Sequence, residues 1–374
     1  MQIDFHFGAT YVVARFAGFS PGDADVVAHS AQYVDDATQA GEIQFTNGMR
    51  FTRASSAHKM LDYANLDPFK MRTSWLPFHF LPGNKGEPKP QQPPLYTEKE
   101  FLERCVCEPN SQVARDMMRA IISRQDRCYA LHRLGIATHT LVDTWAHQRF
   151  VGFRSPINQA REVLAENDQH HDLSFVDRLK RDYGDKLDVL EGHFVNQVFP
   201  LGHGGVVSYP DRPYLKWSYT DHFGNRVVRD NRVIFSEAAR EAYQNFCRYR
   251  EFPVLGPKVF DKTYDEPAGF AEFDRALGEF VDEDGDARLE KWKKAIADGR
   301  FGFKEVVDYQ ASGDGCWRAL AIGSDDDRAG SADFPVEYRA DFPSSNWKLF
   351  HSALLSHQFF VMHELLPDYG LLAA

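Results

Sequence analysis

Ala130-Leu131-His132-Arg133-Leu134-Gly135-Ile136-Ala137-Thr138-His139-Thr140-Leu141-Val142-Asp143-Thr144-Trp145-Ala146-His147 is the stretch that decides the fold. Leu131, Leu134, Ala137, Leu141 and Val142 recur at helical spacing, so it reads as one amphipathic helix. Between them stand His139, Asp143 and His147, each four residues after the last. At about 100° per residue the three fall within roughly 80° of arc, on one face. Neutral imidazole and carboxylate are the usual ligands of zinc-like ions. The two histidines lie roughly 12 Å apart along the axis, at about 1.5 Å per residue, too far to share one ion. Asp143 is midway, and its two oxygens suit a carboxylate that bridges two ions with one histidine beside each. The same face also reads as a polar ladder on a core helix, its imidazoles bonded to backbone and carboxylate.

Toward the N-terminus, Asp4-Phe5-His6 is read as extended, which points Asp4 and His6 to one side. Helices are expected over 11–17 and 22–37, the second started by Ser20 as cap and Pro21 at its first position. That helix ends in Asp35-Asp36. Two acids at a helix C-terminus oppose the helix dipole, and a cation or solvent must compensate them. Asn47-Gly48 marks a hairpin turn within 39–52. His58 falls on a short helix or turn, 75–80 on an aromatic strand or buried loop, and 82–97 on an irregular proline-rich loop. Thr97 and Glu100 form a capping box.

Beyond the central stretch, 111–150 reads as helical and 187–199 as a further helix. His203 is flanked by Gly202 and Gly204, which permits close approach to a ligand, and Asp211 follows. A hairpin is expected over 216–235, turning at Phe223-Gly224-Asn225, then a helix over 236–249 capped by Ser236. Asp282-Glu283-Asp284-Gly285-Asp286 begins like a calcium loop, but Ala287 and Lys293 stand where Gly and Glu are needed. It reads instead as an acidic cap for a helix over 287–298 closed by Gly299. Residues 312–335 read as mobile. The last helix, 346–366, carries His351, His357 and His363, whose spacing of six scatters them around the axis.

Composition sets the outer bounds. The 374 residues allow two domains or one large one. A net charge of −11 argues against wrapping double-stranded DNA. No apolar run approaches the ~20 residues of a membrane span. The N-terminal segment lacks the pattern of a secretory signal, so a cytoplasmic protein, or one exported without a signal peptide, is expected. Five scattered cysteines suit a reducing compartment. The doublet His170-His171-Asp172 resembles part of an HD phosphohydrolase motif, but the further ligands in set order do not assemble.

Three features fall in order along the chain: Ala31-Gln32-Tyr33-Val34-Asp35, then Ser56-Ala57-His58, then the helix with His139-x-x-x-Asp143. This order resembles the zinc-dependent phospholipase C and single-strand nuclease superfamily, over about residues 1–210. The resemblance implies an all-helical core around a trinuclear zinc cluster. Carried over, it matches His6, Asp35, His58, His139 and Asp143, with His147 a looser match and His203 a further one. The superfamily starts at a tryptophan whose amine and carbonyl chelate zinc. Here Met1 stands there, and Asp4 is the candidate replacement. The third helix histidine comes four residues after Asp143 rather than six. Asp211 takes the place of an acid at the fourth position after His203. The opening Met-Gln-Ile-Asp-Phe-His also resembles a family of uncharacterised bacterial and fungal proteins.

The expectation is therefore a mainly α protein. Residues 1–210 would form a phospholipase C-like metal core, and 211–374 a helical elaboration with a small hairpin. One ion falls to Asp35, His58, His139 and Asp143, a second to Asp143, His6 and Asp4, and a third to His147, His203 and Asp211. With two or three zinc ions, or other divalent metals, the protein would hydrolyse a phosphoester, that of a lipid head group or a nucleotide. Acidity and aromatic content favour a small or lipid-like one, and Asp36 would support a ligand or accept a proton. The alternative is a non-catalytic binding or structural protein with a degenerate metal site.

Overall fold

The computed structural model describes residues 1–58, 67–92, 94–166 and 202–372. Thus His170, His171, Asp172 and the helix expected over 187–199 lie outside the described residues. The described chain is mainly helical, with two small antiparallel sheets. A π-helical turn, Asp4–Ala9, runs straight into α1, Thr10–Phe16. Next come α2, Pro21–Asp36, and a hairpin of β1, Gly41–Gln44, and β2, Arg50–Arg53. The helices α3, Pro68–Phe78, α4, Glu98–Arg104, α5, Gln112–Ser123, and α6, Ala130–Ala146, follow. A three-stranded sheet holds β3, Arg161–Ala165, β4, Lys216–Thr220, and β5, Arg226–Asp230, in that order. The chain continues through α7, Asn231–Leu255, α8, Phe270–Glu279, and α9, Gly285–Ala297. It closes with α10, Trp317–Ile322, and α11, Asn346–Phe360.

The decisive stretch is α6, and every residue from His132 to Ala146 is buried. Five helices pack around it: α2, α3, α5, α7 and α11. A helix enclosed on all sides buries its polar face as well, and that face must find partners inside the protein. Gly135 sets the closest of these contacts. A Cβ there would lie 2.3 Å from the Val27 carbonyl oxygen and 2.7 Å from Ser30 Cβ, both on α2. The C-terminal end of α6 is capped from β5. Arg229, 2 % exposed, donates to the Trp145 and Ala146 carbonyls at 2.9 Å each. A cation on the last carbonyls of a helix satisfies them and favours the dipole.

Several local signals act as read. Ser20 caps α2 through the Asp23 amide, Thr97 and Glu100 close their capping box, and Asp284 caps α9. The hairpin turns at Asn47-Gly48, with Gly48 at φ +85°. Other expectations are corrected. Asp4 and His6 are not extended but π-helical, so two residues apart they face different ways. Residues 75–80 are not a strand but end α3, with Pro77 inside the helix. The span 111–150 is two helices, broken between Ser123 and Ala130. Up to residue 58 no short helix forms around His58. Ser236 is no cap: α7 starts at Asn231, and Ser236 Oγ donates to Asp274 at 2.6 Å. The stretch 312–335 contains α10, and 346–366 passes from α11 into a π-turn, Val361–Leu365.

Candidate metal centre

Five segments bring polar side chains to the buried face of α6. Asp143 is the hub, 1 % exposed. Its Oδ2 lies 3.1 Å from His139 Nε2 and 3.3 Å from His79 Nδ1, and its Oδ1 lies 3.2 Å from His6 Nε2. Asp35, at the last turn of α2, approaches from the solvent side. Its Oδ1 is 3.8 Å from both His79 Nδ1 and His139 Nε2, and its Oδ2 is 4.0 Å from His6 Nε2. A second group sits past the end of α6, where Asp211 lies 3.7 Å from His147 Nε2 and 3.6 Å from His203 Nε2. The Met1 ammonium links the groups, 2.6 Å from Asp143 Oδ1 and 3.3 Å from Asp211 Oδ1. Three sets of donor atoms therefore converge: His6, Asp35 and His139; His79, His139 and Asp143; His147, His203 and Asp211.

Four of the imidazoles are oriented from behind. His139 Nδ1 donates to the Ala31 carbonyl at 2.8 Å, His147 Nδ1 to the His79 carbonyl at 2.7 Å, and His203 Nδ1 to the Val207 carbonyl at 2.8 Å. His79 does the same through Nε2, on the Ser56 carbonyl at 3.1 Å. A carbonyl only accepts, so each of these nitrogens carries the proton and the other nitrogen presents a lone pair to the cluster. His79 Nδ1 and His139 Nε2 then face each other at 3.1 Å, with the Asp143 carboxylate beside both. Three acceptors converge there without a proton between them. His6 adds two buried ring nitrogens, neither in hydrogen-bond geometry with a partner among the described residues, although Nε2 lies 3.2 Å from Asp143 Oδ1. Such a constellation is repulsive by itself and fits a cation in its middle. A backbone carbonyl behind the ring is also the usual support of a metal-bound histidine.

The local sequence fixes these positions. Ser56 Oγ donates to the Val34 carbonyl at 2.6 Å, tying the strand exit to the end of α2 and presenting its own carbonyl to His79. Thr140 Oγ1 and His357 Nε2 both donate to the Pro77 carbonyl, at 3.2 and 3.0 Å, pinning the last turn of α3 against α6. Gly202, at φ +53°, packs so closely on Phe80 that a Cβ would lie 2.4 Å from the ring. Phe80 in turn stacks on His147 at 4.4 Å. Asn231, the first residue of α7, donates to the Tyr209 and Arg212 carbonyls at 2.6 and 2.8 Å, holding the turn that bears Asp211.

Burial first, then the neighbouring positive charges, holds the His6 imidazole far below the usual histidine range. Burial also lowers His79, and it lowers His203 to about 4. These rings are neutral, the form that binds metal. Burial would push Asp143 up, but the Met1 amine and His147, His139 and His6 outweigh it and hold the carboxyl well below its ordinary value. Asp211 is lowered by the same amine and by His203, against burial. The Met1 amine, lowered by burial, is raised overall to about 11 by Asp143, Asp211 and Asp35.

Of the residues expected from the sequence, His6, Asp35, His139, Asp143, His147, His203 and Asp211 are brought together here. Asp4 is not among them. It is 1 % exposed and forms a two-pronged pair with Arg288, whose Nε and Nη2 lie 2.7 and 3.0 Å from its oxygens. The π-turn sends it away from His6. The Met1 amine occupies the region proposed for Asp4. His58 lies outside the cluster, its Nε2 3.0 Å from Ser74 Oγ, and His79 stands where His58 was expected. Asp36 lies beside the site, its Oδ2 accepting from Tyr309 Oη at 2.5 Å and Gln32 Nε2 at 3.0 Å. His79 lies in the aromatic stretch 75–80, and nothing in its spacing from the other ligands singles it out. The order of ligands along the chain fits His58 and His79 equally.

A cleft of about 830 Å³ reaches this cluster from solvent, lined by Met1, Gln32, Asp35, Asp36 and Tyr309, with Asp284, Asp286 and Glu290 at its rim. Among the described residues no helix is long and apolar enough to cross a membrane, and all five cysteines are free. No curated protein and no solved structure is matched by this chain. A family model does match, over residues 1–365, and so nearly the whole chain, including every residue of the cluster, belongs to the family of unknown function DUF6765.

Proposed function

We propose that this protein is a metal-dependent phosphoester hydrolase with a di- or trinuclear zinc-type site, of the phospholipase C or nuclease kind. The observation that carries the reading is the convergence of buried imidazole nitrogens on the Asp143 and Asp211 carboxylates, with the rings of His79, His139, His147 and His203 each fixed by a backbone carbonyl behind it. His79, His139, Asp143 and Asp35 would hold one ion. His6, Asp35 and Asp143 would hold a second, and His147, His203 and Asp211 a third. Metal ions so held supply an activated water and neutralise charge on a phosphate. The chain's own residues do the rest. Asp143 and Asp35 hold donor atoms of adjacent groups at fixed spacing. Asp36 holds or accepts a proton: burial raises its carboxyl above the usual range, opposed by the bonds from Tyr309 and Gln32. The acidic rim disfavours a polyanion and favours a small or lipid-like phosphoester.

One observation favours a second reading. The Met1 ammonium already sits between Asp143 and Asp211, so the cluster also reads as an ionic core of a binding or structural protein. Elemental analysis of the purified protein, tag-free at Met1, decides between them. Two or three equivalents of a zinc-type metal, lost in Asp143→Asn, together with turnover of bis-p-nitrophenyl phosphate, support the hydrolase. His79→Ala removes both metal and turnover on this reading, and His58→Ala keeps them. A folded wild type that holds no metal and takes none up refutes it.

A further inference from the structure

Next to the metal centre lies a second, smaller cavity of about 200 Å³, walled by two arginines. By that measure a water needs roughly 10–15 Å³, so the space suits a small polyatomic ion. Arg53 ends β2, and Arg318 lies on α10 with 7 % exposure. Both donate to one neutral oxygen, Gln39 Oε1, through Nη1 at 2.5 and 3.5 Å, which holds the two guanidiniums side by side. Arg318 spends its other bonds on the loop that follows α10: the Asp327 carboxylate at 3.2 Å and the Asp325, Asp326 and Ala329 carbonyls. Arg53 has no carboxylate within ion-pair distance among the described residues. The Nε of each arginine is buried with no hydrogen-bond partner among the described residues.

Of the carboxylates that line the cavity, Asp325 accepts the Gly313 amide at 2.5 Å and Asp36 accepts from Tyr309 and Gln32, while Asp327, 69 % exposed, pairs with Arg318. The Arg53 charge is thus set against one amide oxygen beside a second guanidinium, a costly arrangement in a semi-enclosed space unless an anion joins it. The Arg53 guanidinium is accordingly held below its ordinary range, by burial first and then by Arg318.

We propose that this cavity binds a small oxyanion, a phosphate- or sulfate-type group, gripped between Arg53 and Arg318. Planar guanidiniums present paired N–H donors that match such a group. Asp36 and Ala311 line both this cavity and the cleft that leads to Asp35. The bound group therefore lies across Asp36 from the cleft that reaches the candidate metal centre. Where the phosphoester reading holds, it is a second anionic group of the substrate. That last step rests on the reading above, and the anion site itself does not.

The test is calorimetric titration of sulfate into the metal-loaded wild type and into Arg53→Gln, Gln39→Glu and Asp143→Asn. The expected result is one sulfate per chain in wild type and in Asp143→Asn, with binding about tenfold weaker in Arg53→Gln. Gln39→Glu, whose carboxylate joins the arginines itself, abolishes binding while keeping the wild-type circular dichroism spectrum. Sulfate binding unchanged in both Arg53→Gln and Gln39→Glu overturns the proposal. So does its absence from wild type at millimolar sulfate, or its loss in Asp143→Asn, which would put the anion on the metal centre. Sulfate bound as expected in a protein with no phosphodiesterase activity leaves the anion site standing and refutes the hydrolase alone.

Discussion

Replacing Gly135 with alanine tests whether the closeness of α2 and α6 builds the centre. The new methyl would meet the Val27 carbonyl oxygen at 2.3 Å, whereas ordinary contact begins near 3.4 Å. A backbone oxygen inside a helix has no freedom to turn away, so the two helices must part by about 1 Å. Overpacking of this kind costs ~3 kcal/mol, the upper end of its usual range, because the obstacle is main chain rather than a flexible side chain. In a chain this size that lowers Tm by about 5 °C. The same displacement pulls the Ala31 carbonyl from His139 Nδ1, now 2.8 Å away, and withdraws Asp35, on the same helix, from His139 and His6. The group of His147, His203 and Asp211 draws nothing from α2 and keeps its geometry. On the metal-centre proposal, Gly135→Ala is therefore expected to lose an ion bound through Asp35 and retain one bound at Asp211, as read by thermal unfolding and metal content side by side. Gly22→Ala is the control. It sits in the first turn of α2 with nothing within 4 Å of its would-be Cβ, and gains about 0.5 kcal/mol. A Gly135→Ala protein with wild-type Tm and full metal content refutes the argument.

Three further outcomes follow from other parts of the structure. Asp4→Asn strands the buried Arg288 and costs ~3–5 kcal/mol in urea unfolding, yet leaves metal per folded molecule unchanged; loss of metal without loss of stability would make Asp4 a ligand after all. Acetylating the Met1 amine deprives Asp143 of its cation, so Tm in chelator falls and added zinc restores it. An unchanged Tm in chelator would mean that the amine does not stabilise the cluster. Asp25 is pushed up to about 6, by burial first and then by Asp308. Its folded value lies above its unfolded one, so the fold penalises the charged form above about pH 6 and not below the ordinary carboxylate range. Asp25→Asn therefore raises Tm at pH 7.5, with a gain that shrinks toward pH 4.5; an equal gain at both would assign the effect to something other than charge.

What could be read from the sequence was what depends on a few neighbouring residues. Caps at Ser20, Thr97 and Asp284 bond within three residues, and the turn at Asn47-Gly48 is set by one glycine. The spacing of His139, Asp143 and His147 already gave one face of a helix. The remainder depended on long-range packing. Residues 75–80 read as a strand or buried loop, but they end a helix whose Pro77 carbonyl is claimed by Thr140 and His357 from two other helices. The run Asn231-Arg232-Val233-Ile234-Phe235 has the β-branched and aromatic residues of a strand. It is helical because Asn231 is anchored to Trp217 and to the turn bearing Asp211. Choosing Asp4 over the Met1 amine assumed an extended N-terminus. His79 joins the cluster with its ring held by the Ser56 carbonyl, a long-range contact that spacing along the chain does not show.

The pairing of Asp4 with Arg288 also sets a timetable. The two residues are 284 positions apart, and both are buried. At synthesis rates of roughly 5–20 residues per second, Asp4 waits about 15 to 60 s on the ribosome before its partner exists. During that interval the turn that carries His6 has a carboxylate without its buried partner. A nascent chain halted before α9 would expose its opening segment to proteases, and release of the finished chain would protect it.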